Sequence, residues 1–317
     1  MQRRMLGNTG FEVAPLAFGG NVFGWTVDEA TSFRLLDHFV AQGFNLIDTA
    51  NSYSRWVQGN EGGESETILG RWIKRRGRHD DVIIATKVGS DMGLGYRSLK
   101  RAHILEEAEK SLRRLQVDCI DLYQSHWDDP TTPFDETLEA YQLLLSQGKV
   151  RAIGASNLTA ARLSEALFAA GARGLPKYRT LQPLYNLYDR SEFEGALADV
   201  CIRENLGVIP YYSLAAGFLT GKYRSDADYG KSERGPGMKK YLNPRGLAIV
   251  DALVRIAGAH GATPAQIALA WLMTRPGVTA PIASATSVAQ LDELMGATRL
   301  TLDNDDLAAL DRASAPS

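Results

Sequence analysis

Four polar residues that can act together in proton transfer stand at the ends of apolar, β-prone runs: Asp48, Tyr53, Lys87 and His126. Three of them end or follow separate runs typical of buried strands, and Tyr53 lies one short turn after Asp48. Together these side chains can protonate a carbonyl oxygen. The pKa of a free tyrosine is about 10, and we expect the Lys87 ammonium, held by Asp48, to lower it. His126 would orient the substrate oxygen or relay its proton.

Any one of these residues alone has a structural interpretation, such as a helix cap, a strand-end lysine or a satisfied core histidine. Four of them on successive strand ends favour a shared chemical role, because the carboxyl ends of parallel strands are where α/β enzymes keep their reacting groups.

Short β-prone runs alternate with amphipathic stretches along the chain, which predicts a fold of alternating strands and helices whose strand ends lie close together. The predicted strands are Leu16–Phe18, Phe44–Ile47, Val82–Thr86, Cys119–Tyr123, Val150–Gly154, Thr180–Gln182, Leu206–Pro210 and Val278–Ile282. Strands separated by helices pair in parallel through right-handed crossovers. Eight of them in 317 residues predict an α/β fold, a (β/α)8 TIM barrel formed by residues 1–317 as a single domain. The alternative is an open doubly wound sheet, but its usual GxGxxG motif is absent after the first strand.

Helix starts and one long loop complete the predicted organisation. Thr26 and Glu29 have the spacing of a capping box, as do Thr263 and Gln266. An irregular region of about 30 residues begins near Ala215, after the seventh strand. Loops of this length in compact domains are more often functional than not, and a disordered surface excursion is the alternative.

Composition favours a cytoplasmic protein without a charged polymer as its partner. A formal net charge of −2 gives no reason to expect nucleic acid or an anionic membrane. Cys119 and Cys201 both lie in apolar surroundings, which fits a reducing compartment better than a disulfide framework. The N-terminus lacks the apolar segment of a secretion signal, and the five histidines form no zinc-binding motif, so we expect no metal.

Five motifs, in order and spacing, resemble the aldo-keto reductase family. They are GFNLIDTANSY (43–53), IATK (84–87), DLYQSHWDD (121–129), GKVRAIGASN (148–157) and IPYYSLAAGFLTGKY (209–223). The resemblance implies a barrel oxidoreductase that uses an extended nicotinamide cofactor without a Rossmann domain or a metal. It also implies that Tyr53 is the general acid, that Lys87 and Asp48 tune it, and that His126 orients the carbonyl.

The same resemblance implies which residues bind the cofactor. They are Ser156, Asn157 and Gln182 at the nicotinamide carboxamide, Tyr211 under its ring, Leu214, Gly217 and Lys222 at the pyrophosphate, Arg234 closing over the cofactor, and Ser284, Thr286 and Gln290 at the adenosine end.

Two departures from the family pattern bear on cofactor choice. Thr286 stands where many members have an arginine, and Leu294 stands where they have an asparagine. The resemblance favours NADP(H). Because of the two departures, we expect a weaker preference than an arginine would give, and NAD(H) is possible.

The substrate class is expected to be a small-molecule aldehyde, ketone, sugar or alcohol. Trp25, Trp56 and Trp127 follow the first, second and fourth strands, where barrel loops face the active site, although packing of loop aromatics is an alternative interpretation. The family also resembles potassium-channel β subunits, so a cofactor-binding regulatory subunit is the alternative function. The sequence leaves the oligomeric state open.

Overall fold

A parallel eight-stranded sheet forms the centre of the molecule. The computed structural model describes residues 1–93 and 95–316, and within these ranges the sheet strands are β3 (Ala17–Gly19), β4 (Leu46–Asp48), β5 (Ile83–Val88), β6 (Ile120–Ser125), β7 (Val150–Ser156), β8 (Thr180–Gln182), β9 (Gly207–Val208) and β10 (Ile282–Ala283). Two short strands, β1 (Arg4–Met5) and β2 (Glu12–Val13), precede them as an antiparallel hairpin.

The sheet curls until its first and last strands meet. Neighbouring strands follow chain order from β3 to β9, and β10 pairs with β3. Between β9 and the segment before β10, Val208 and Val278 form a parallel bridge, and the Ile282 N–H donates to the Pro210 carbonyl at 2.9 Å. The closed order confirms the predicted (β/α)8 barrel and excludes an open doubly wound sheet, whose strand order reverses at a switch point.

Helices surround the barrel. In the described chain they are α1 (Glu29–Ala41), α2 (Glu64–Arg76), α3 (Arg101–Leu115), α4 (Phe134–Ser146), α5 (Ala160–Arg173), α6 (Ala196–Arg203), α7 (Pro244–His260), α8 (Pro264–Met273), α9 (Val288–Gly296) and α10 (Asn304–Ala313). None of these described helices combines the length and the apolar character that a bilayer crossing requires.

The helix starts confirm one predicted cap and correct another. Thr263 and Gln266 form the expected capping box at α8. At α1 the prediction for Thr26 was wrong, because the Asp28 carboxylate accepts from the Thr31 N–H at 2.7 Å and the helix begins at Glu29. Asp is as good an N-cap as Ser and better than Thr, so the later residue caps the helix.

The long loop after β9 is ordered by its own packing. It contains three short 3₁₀ segments, Ala215–Thr220, Asp226–Lys231 and Gly235–Lys240. Phe218 and Tyr241 are buried and stack with ring centroids 5.3 Å apart. The loop is therefore anchored to the barrel body.

The hydrophobic core has two parts, one on each side of the sheet. The larger part lies between strands and helices, and the smaller lies inside the barrel. Leu6 and Phe11 from the hairpin region cluster with Leu46, Leu122 and Ile209 of the interior. The hairpin therefore closes the amino-terminal end of the barrel, and the opposite end is left for chemistry.

Close contact between α2 and α3 depends on a glycine. A Cβ atom on Gly70 would lie 2.0 Å from the Arg114 carbonyl oxygen, whereas one on Gly258 in α7 would have no heavy atom within 4 Å. Alanine in a helix is more favourable than glycine by up to about 1 kcal/mol. At Gly70 the backbone clash opposes this gain, whereas at Gly258 nothing opposes it.

We predict that Gly70→Ala lowers the free energy of unfolding by about 1–3 kcal/mol, because the backbone contact must open. Gly258→Ala should raise it by about 0.5–1 kcal/mol. Urea denaturation of both variants beside the parent measures the difference. A Gly70→Ala protein as stable as Gly258→Ala would show that the α2–α3 contact tolerates the methyl group.

Candidate active site

Adjacent strands bring the four predicted residues together at the carboxyl end of the barrel. Asp48 is the last residue of β4, and Lys87 is the penultimate residue of β5. His126 directly follows β6, and its N–H donates to the Val88 carbonyl at 2.7 Å, which extends the strand pairing by one residue. Tyr53 lies in the turn after β4. The sheet register thus places all four on neighbouring strand ends.

A buried ion pair forms the base of the site. Lys87 Nζ donates to both carboxylate oxygens of Asp48 at 2.8 Å and to the Thr49 carbonyl at 2.8 Å. The two side chains are 0% and 2% exposed. Burial lowers the pKa of Lys87, and the carboxylates of Asp48 and Glu66 oppose that effect.

Tyr53 is held on this pair by its hydroxyl. The oxygen accepts from Lys87 Nζ at 2.8 Å, and the O–H donates to Asp48 Oδ2 at 3.0 Å. Burial, and after it the Asp48 carboxylate, raises the pKa of Tyr53 well above its ordinary value. The predicted lowering by Lys87 was therefore wrong for the protein alone, because the loss of solvent around the phenol outweighs the nearby ammonium.

His126 faces the Tyr53 ring from the next strand. Their ring centroids are 5.9 Å apart at 73°. His126 Nδ1 lies 2.8 Å from Ser90 Oγ, and its ring stacks on Trp127. Ser90 was missed by sequence reasoning, because its contact with His126 depends on the turn after β5 and no local pattern announces it.

Gln182 joins the site from the far side of the barrel. Its side-chain Nε2 donates to Asp48 Oδ1 at 2.8 Å, and its backbone carbonyl accepts from Ser156 Oγ at 2.7 Å. Asn157 donates to the His126 carbonyl at 2.9 Å and accepts from the Tyr211 hydroxyl at 2.8 Å. Four of the predicted nicotinamide contacts thus form one hydrogen-bonded patch beside the tetrad of Asp48, Tyr53, Lys87 and His126.

The loop beyond Tyr211 has an unusual backbone. Tyr212, Ala215 and Ala216 have φ values of 53°, 48° and 56°, and Gly217 has 104°. The left-handed conformation is unfavourable for non-glycine residues, and residues that adopt it cluster at ligand sites. Alternating backbone conformations there can direct N–H groups toward an anion. Lys222 is exposed a short distance further along the chain.

The predicted adenosine-end residues lie around the start of α9. Thr286 donates through its N–H and its hydroxyl to Gln290 Oε1 at 2.9 and 3.0 Å, and Ser287 caps the helix. Ser284 Oγ donates to Asn21 Oδ1 at 2.7 Å. Thr286 and Gln290 therefore contact each other at the start of α9, and Ser284 contacts Asn21.

Arg234 lies at the mouth of the barrel, over an aromatic row. Its Cζ is 5.2 Å from the centroid of Trp25, whose ring packs edge-on against Trp56 at 5.6 Å. Trp56 in turn packs against Tyr53 at 6.2 Å. Trp56 therefore borders Tyr53 directly, Trp25 packs behind Trp56, and Trp127 borders His126.

Across residues 1–93 and 95–316, no cluster of three or more His, Cys, Asp or Glu side chains could hold a metal ion. The arrangement can hold a proton on a buried phenol beside a fixed ion pair, and it offers an aromatic cleft next to that proton.

Comparison with known proteins identifies one family along nearly the whole chain. Residues 15–315 match the Aldo/keto reductase family. The aldo-keto reductase YhdN of Bacillus subtilis is 34% identical over 96% of this chain and 91% of that protein. Protein tas of Escherichia coli is also 34% identical, over 98% of this chain and 97% of its own. A probable voltage-gated potassium channel subunit beta of Arabidopsis thaliana is 32% identical over 94% of this chain and 91% of its own. The chain therefore belongs to the aldo/keto reductase family.

Proposed function

We propose that the protein reduces the carbonyl group of small aldehydes and ketones, sugars included, with a nicotinamide cofactor, and that Tyr53 supplies the proton. The observation that carries the proposal is the single contact network in which the Tyr53 hydroxyl touches both Lys87 and Asp48. The bound cofactor would supply the hydride to the carbonyl carbon.

Tyr53 suits the role of acid because its proton is retained at neutral pH. Its raised pKa keeps the phenol protonated in the protein alone. When the proton leaves toward a carbonyl oxygen, the phenolate that remains already has the Lys87 ammonium at 2.8 Å. Asp48 and the Thr49 carbonyl keep that ammonium in place, so no group must move during the transfer.

His126 acts as a neutral hydrogen-bond donor in this proposal. Burial first, and then Lys87 and Arg97, lowers the pKa of His126 well below its ordinary value. Ser90 Oγ lies 2.8 Å from His126 Nδ1, so the direction of this hydrogen bond sets the tautomer of the imidazole. If the serine hydroxyl donates to Nδ1, Nε2 carries the hydrogen and can donate it to the substrate oxygen beside Tyr53.

Cofactor binding is supported by the patch and the strained loop. Ser156, Asn157, Gln182 and Tyr211 offer amide, hydroxyl and ring contacts for a nicotinamide. The remaining proposed contacts are Leu214, Gly217, Lys222, Arg234, Ser284, Thr286 and Gln290. We favour NADP(H), with NAD(H) as the alternative, because hydroxyls and the start of a helix attract a phosphate even without an arginine.

A regulatory role is the second candidate, and similarity to the probable potassium channel β subunit of Arabidopsis thaliana is what favours it. The complete tetrad fits both candidates, so turnover separates them. The cysteines are free thiols, which is compatible with the cytoplasmic setting that we propose.

We predict that His126 stays neutral from pH 8 to pH 6, since its folded pKa lies well below the unfolded value of about 6.5. As pH falls through 6.5, the unfolded chain takes up a proton that the folded protein resists, so stability decreases. Between pH 7.5 and pH 5.5, wild type should lose about 1 kcal/mol relative to His126→Asn. Urea titrations at both pH values measure this, and an imidazole NMR titration midpoint above pH 6 would contradict it.

We predict that Tyr53→Phe lowers kcat for 4-nitrobenzaldehyde and phenylglyoxal by about 10²–10⁴-fold, because the proton donor is removed. The ring remains, so the Kd for the cofactor should change little. Rates are followed by the absorbance of reduced cofactor in the presence of a chelator.

The matched control is Tyr229→Phe, which removes a hydroxyl bonded to Asp226 in the outer loop. It should behave like wild type. If Tyr53→Phe retains half of the activity, Tyr53 is not the acid. If wild type binds cofactor but turns over no aldehyde or ketone, the regulatory candidate is favoured.

We predict that Thr286→Arg raises the preference for NADPH over NADH by about 10–100-fold, since a charged hydrogen bond contributes roughly 1.5–3 kcal/mol. Dissociation constants for both cofactors at low and high salt give the ratio. Thr301→Arg adds the same charge at another exposed site and should leave the ratio unchanged. An unchanged ratio in Thr286→Arg would place the 2′-phosphate elsewhere, and tighter binding of NADH by wild type would contradict the NADP(H) preference.

A further inference from the structure

A glutamate lies on the buried face of α3. The buried residues of that helix recur at helical spacing, and they are Ile104, Glu107, Ala108, Ser111, Leu112 and Leu115. Glu107 is the charged member of this set, and its side chain is only 7% exposed. An apolar side chain would pack here without the cost of removing a charge from water, so stability alone does not explain a carboxylate at this position.

Glu107 contacts the turn that carries Tyr53. Its Oε2 accepts from Asn51 Nδ2 at 2.8 Å, and its Oε1 accepts from Lys110 Nζ at 2.8 Å. Burial raises the pKa of Glu107, but the hydrogen bonds from Lys110 and Asn51 outweigh that effect, and the pKa lies below its ordinary value. The group that faces Asn51 is therefore a carboxylate at neutral pH, and its charge makes this hydrogen bond stronger than one between neutral groups.

Asn51 depends on this contact for its position. The residue is completely buried, and its Oδ1 has no hydrogen-bond partner among residues 1–93 and 95–316. Its backbone N–H donates to the Lys87 carbonyl at 3.3 Å, which is longer than an ordinary hydrogen bond of this type. Within the described protein, Glu107 is therefore the partner that holds the Asn51 side chain, two positions before Tyr53.

The position of this turn decides whether Tyr53 meets the ion pair. The Tyr53 hydroxyl lies 2.8 Å from Lys87 Nζ and 3.0 Å from Asp48 Oδ2. On the other side of Tyr53, the turn is held by Ser54, whose Oγ donates to the Phe23 carbonyl at 2.6 Å. Misplacement of a reacting group by about 1 Å can lower a rate 10²-fold, so the contacts on both sides of Tyr53 bear on proton transfer.

Resting on the proposed carbonyl reduction, we propose that the Glu107 carboxylate, acting through Asn51, positions Tyr53 for proton transfer. Glu107 is a positioning residue, because it lies on a helix outside the barrel and acts on the substrate only through the turn. The competing explanation is a contact that stabilises the fold and nothing else. Removing such a contact would lower the free energy of unfolding and leave the kcat of the folded protein unchanged.

The test removes the hydrogen bond and then restores it in the opposite direction. Asn51→Ala and Glu107→Ala should each lower kcat for 4-nitrobenzaldehyde by about 10–100-fold, with little change in the Kd for NADPH. The two losses should not add in the double alanine variant, because both substitutions remove one contact. An exchange variant, Asn51→Asp with Glu107→Gln, keeps the total charge and lets the amide on α3 donate to the carboxylate on the turn. It should recover most of the lost kcat.

The matched control is Asn45→Ala, which removes another buried asparagine, directly before β4. Asn45 accepts from the Ala14 N–H at 3.0 Å and donates to the Glu12 carbonyl at 2.8 Å. This substitution should lower the urea midpoint and leave the kcat of the folded protein unchanged. Unchanged kcat in both alanine variants of the pair would overturn the proposal. An exchange variant no more active than the alanine variants, or an equal loss of kcat in Asn45→Ala, would do the same.

An NMR signal from the phenol separates this proposal from the proposed reaction. In protein labelled with carbon-13 at the tyrosine Cζ, the Tyr53 resonance is assigned by its loss in Tyr53→Phe. It should shift in Asn51→Ala and in Glu107→Ala, and it should return toward its wild-type position in the exchange variant. This pattern without turnover of any aldehyde or ketone would retain the positioning and reject the reaction. Turnover with a kcat that responds to neither alanine substitution would retain the reaction and reject the positioning.

Discussion

The ion pair between Lys87 and Asp48 constrains the rest of the molecule, because both side chains are almost completely buried. Removing two charges from water is unfavourable by several kcal/mol per ion unless the contacts are nearly complete. Here the ammonium contacts both carboxylate oxygens and the Thr49 carbonyl, and Gln182 donates to the same carboxylate. The strands that carry these residues must therefore keep their register, since a slip of one residue would turn either charge to the wrong face.

The same constraint prepares the phenol for the reaction that we propose. Burial disfavours the phenolate and holds the proton on Tyr53, and the Lys87 ammonium lies at hydrogen-bond distance from the hydroxyl oxygen. In the proposed transfer, burial therefore acts before the proton leaves, and the ion pair stabilises the phenolate afterwards. The imidazole of His126, kept neutral by the same burial, adds a directed donor and no further charge.

Strand ends could be predicted from the sequence because each is a local pattern, an apolar run that stops at a polar residue. Contacts across the interior could not be predicted in this way. Gln182 reaches Asp48 only because the barrel closes, and the two residues lie 134 positions apart. The direction of the Tyr53 pKa was missed for a related reason, since the degree of burial is a property of the assembled cleft. The start of α1 was missed because Thr26 and Asp28 offer competing caps two residues apart, and local spacing does not rank them.

The hairpin of β1 and β2 keeps the amino-terminal end of the barrel closed. Leu6 and Phe11 seal one end of the barrel with apolar side chains, and a Cβ on Gly7 would lie only 2.3 Å from the Gly207 backbone nitrogen. With the amino-terminal end closed in this way, the tetrad faces the carboxyl end of the barrel, where Trp25 and Trp56 lie. A substitution that loosened the hairpin contact would let water approach the Lys87–Asp48 ion pair from the amino-terminal end of the barrel.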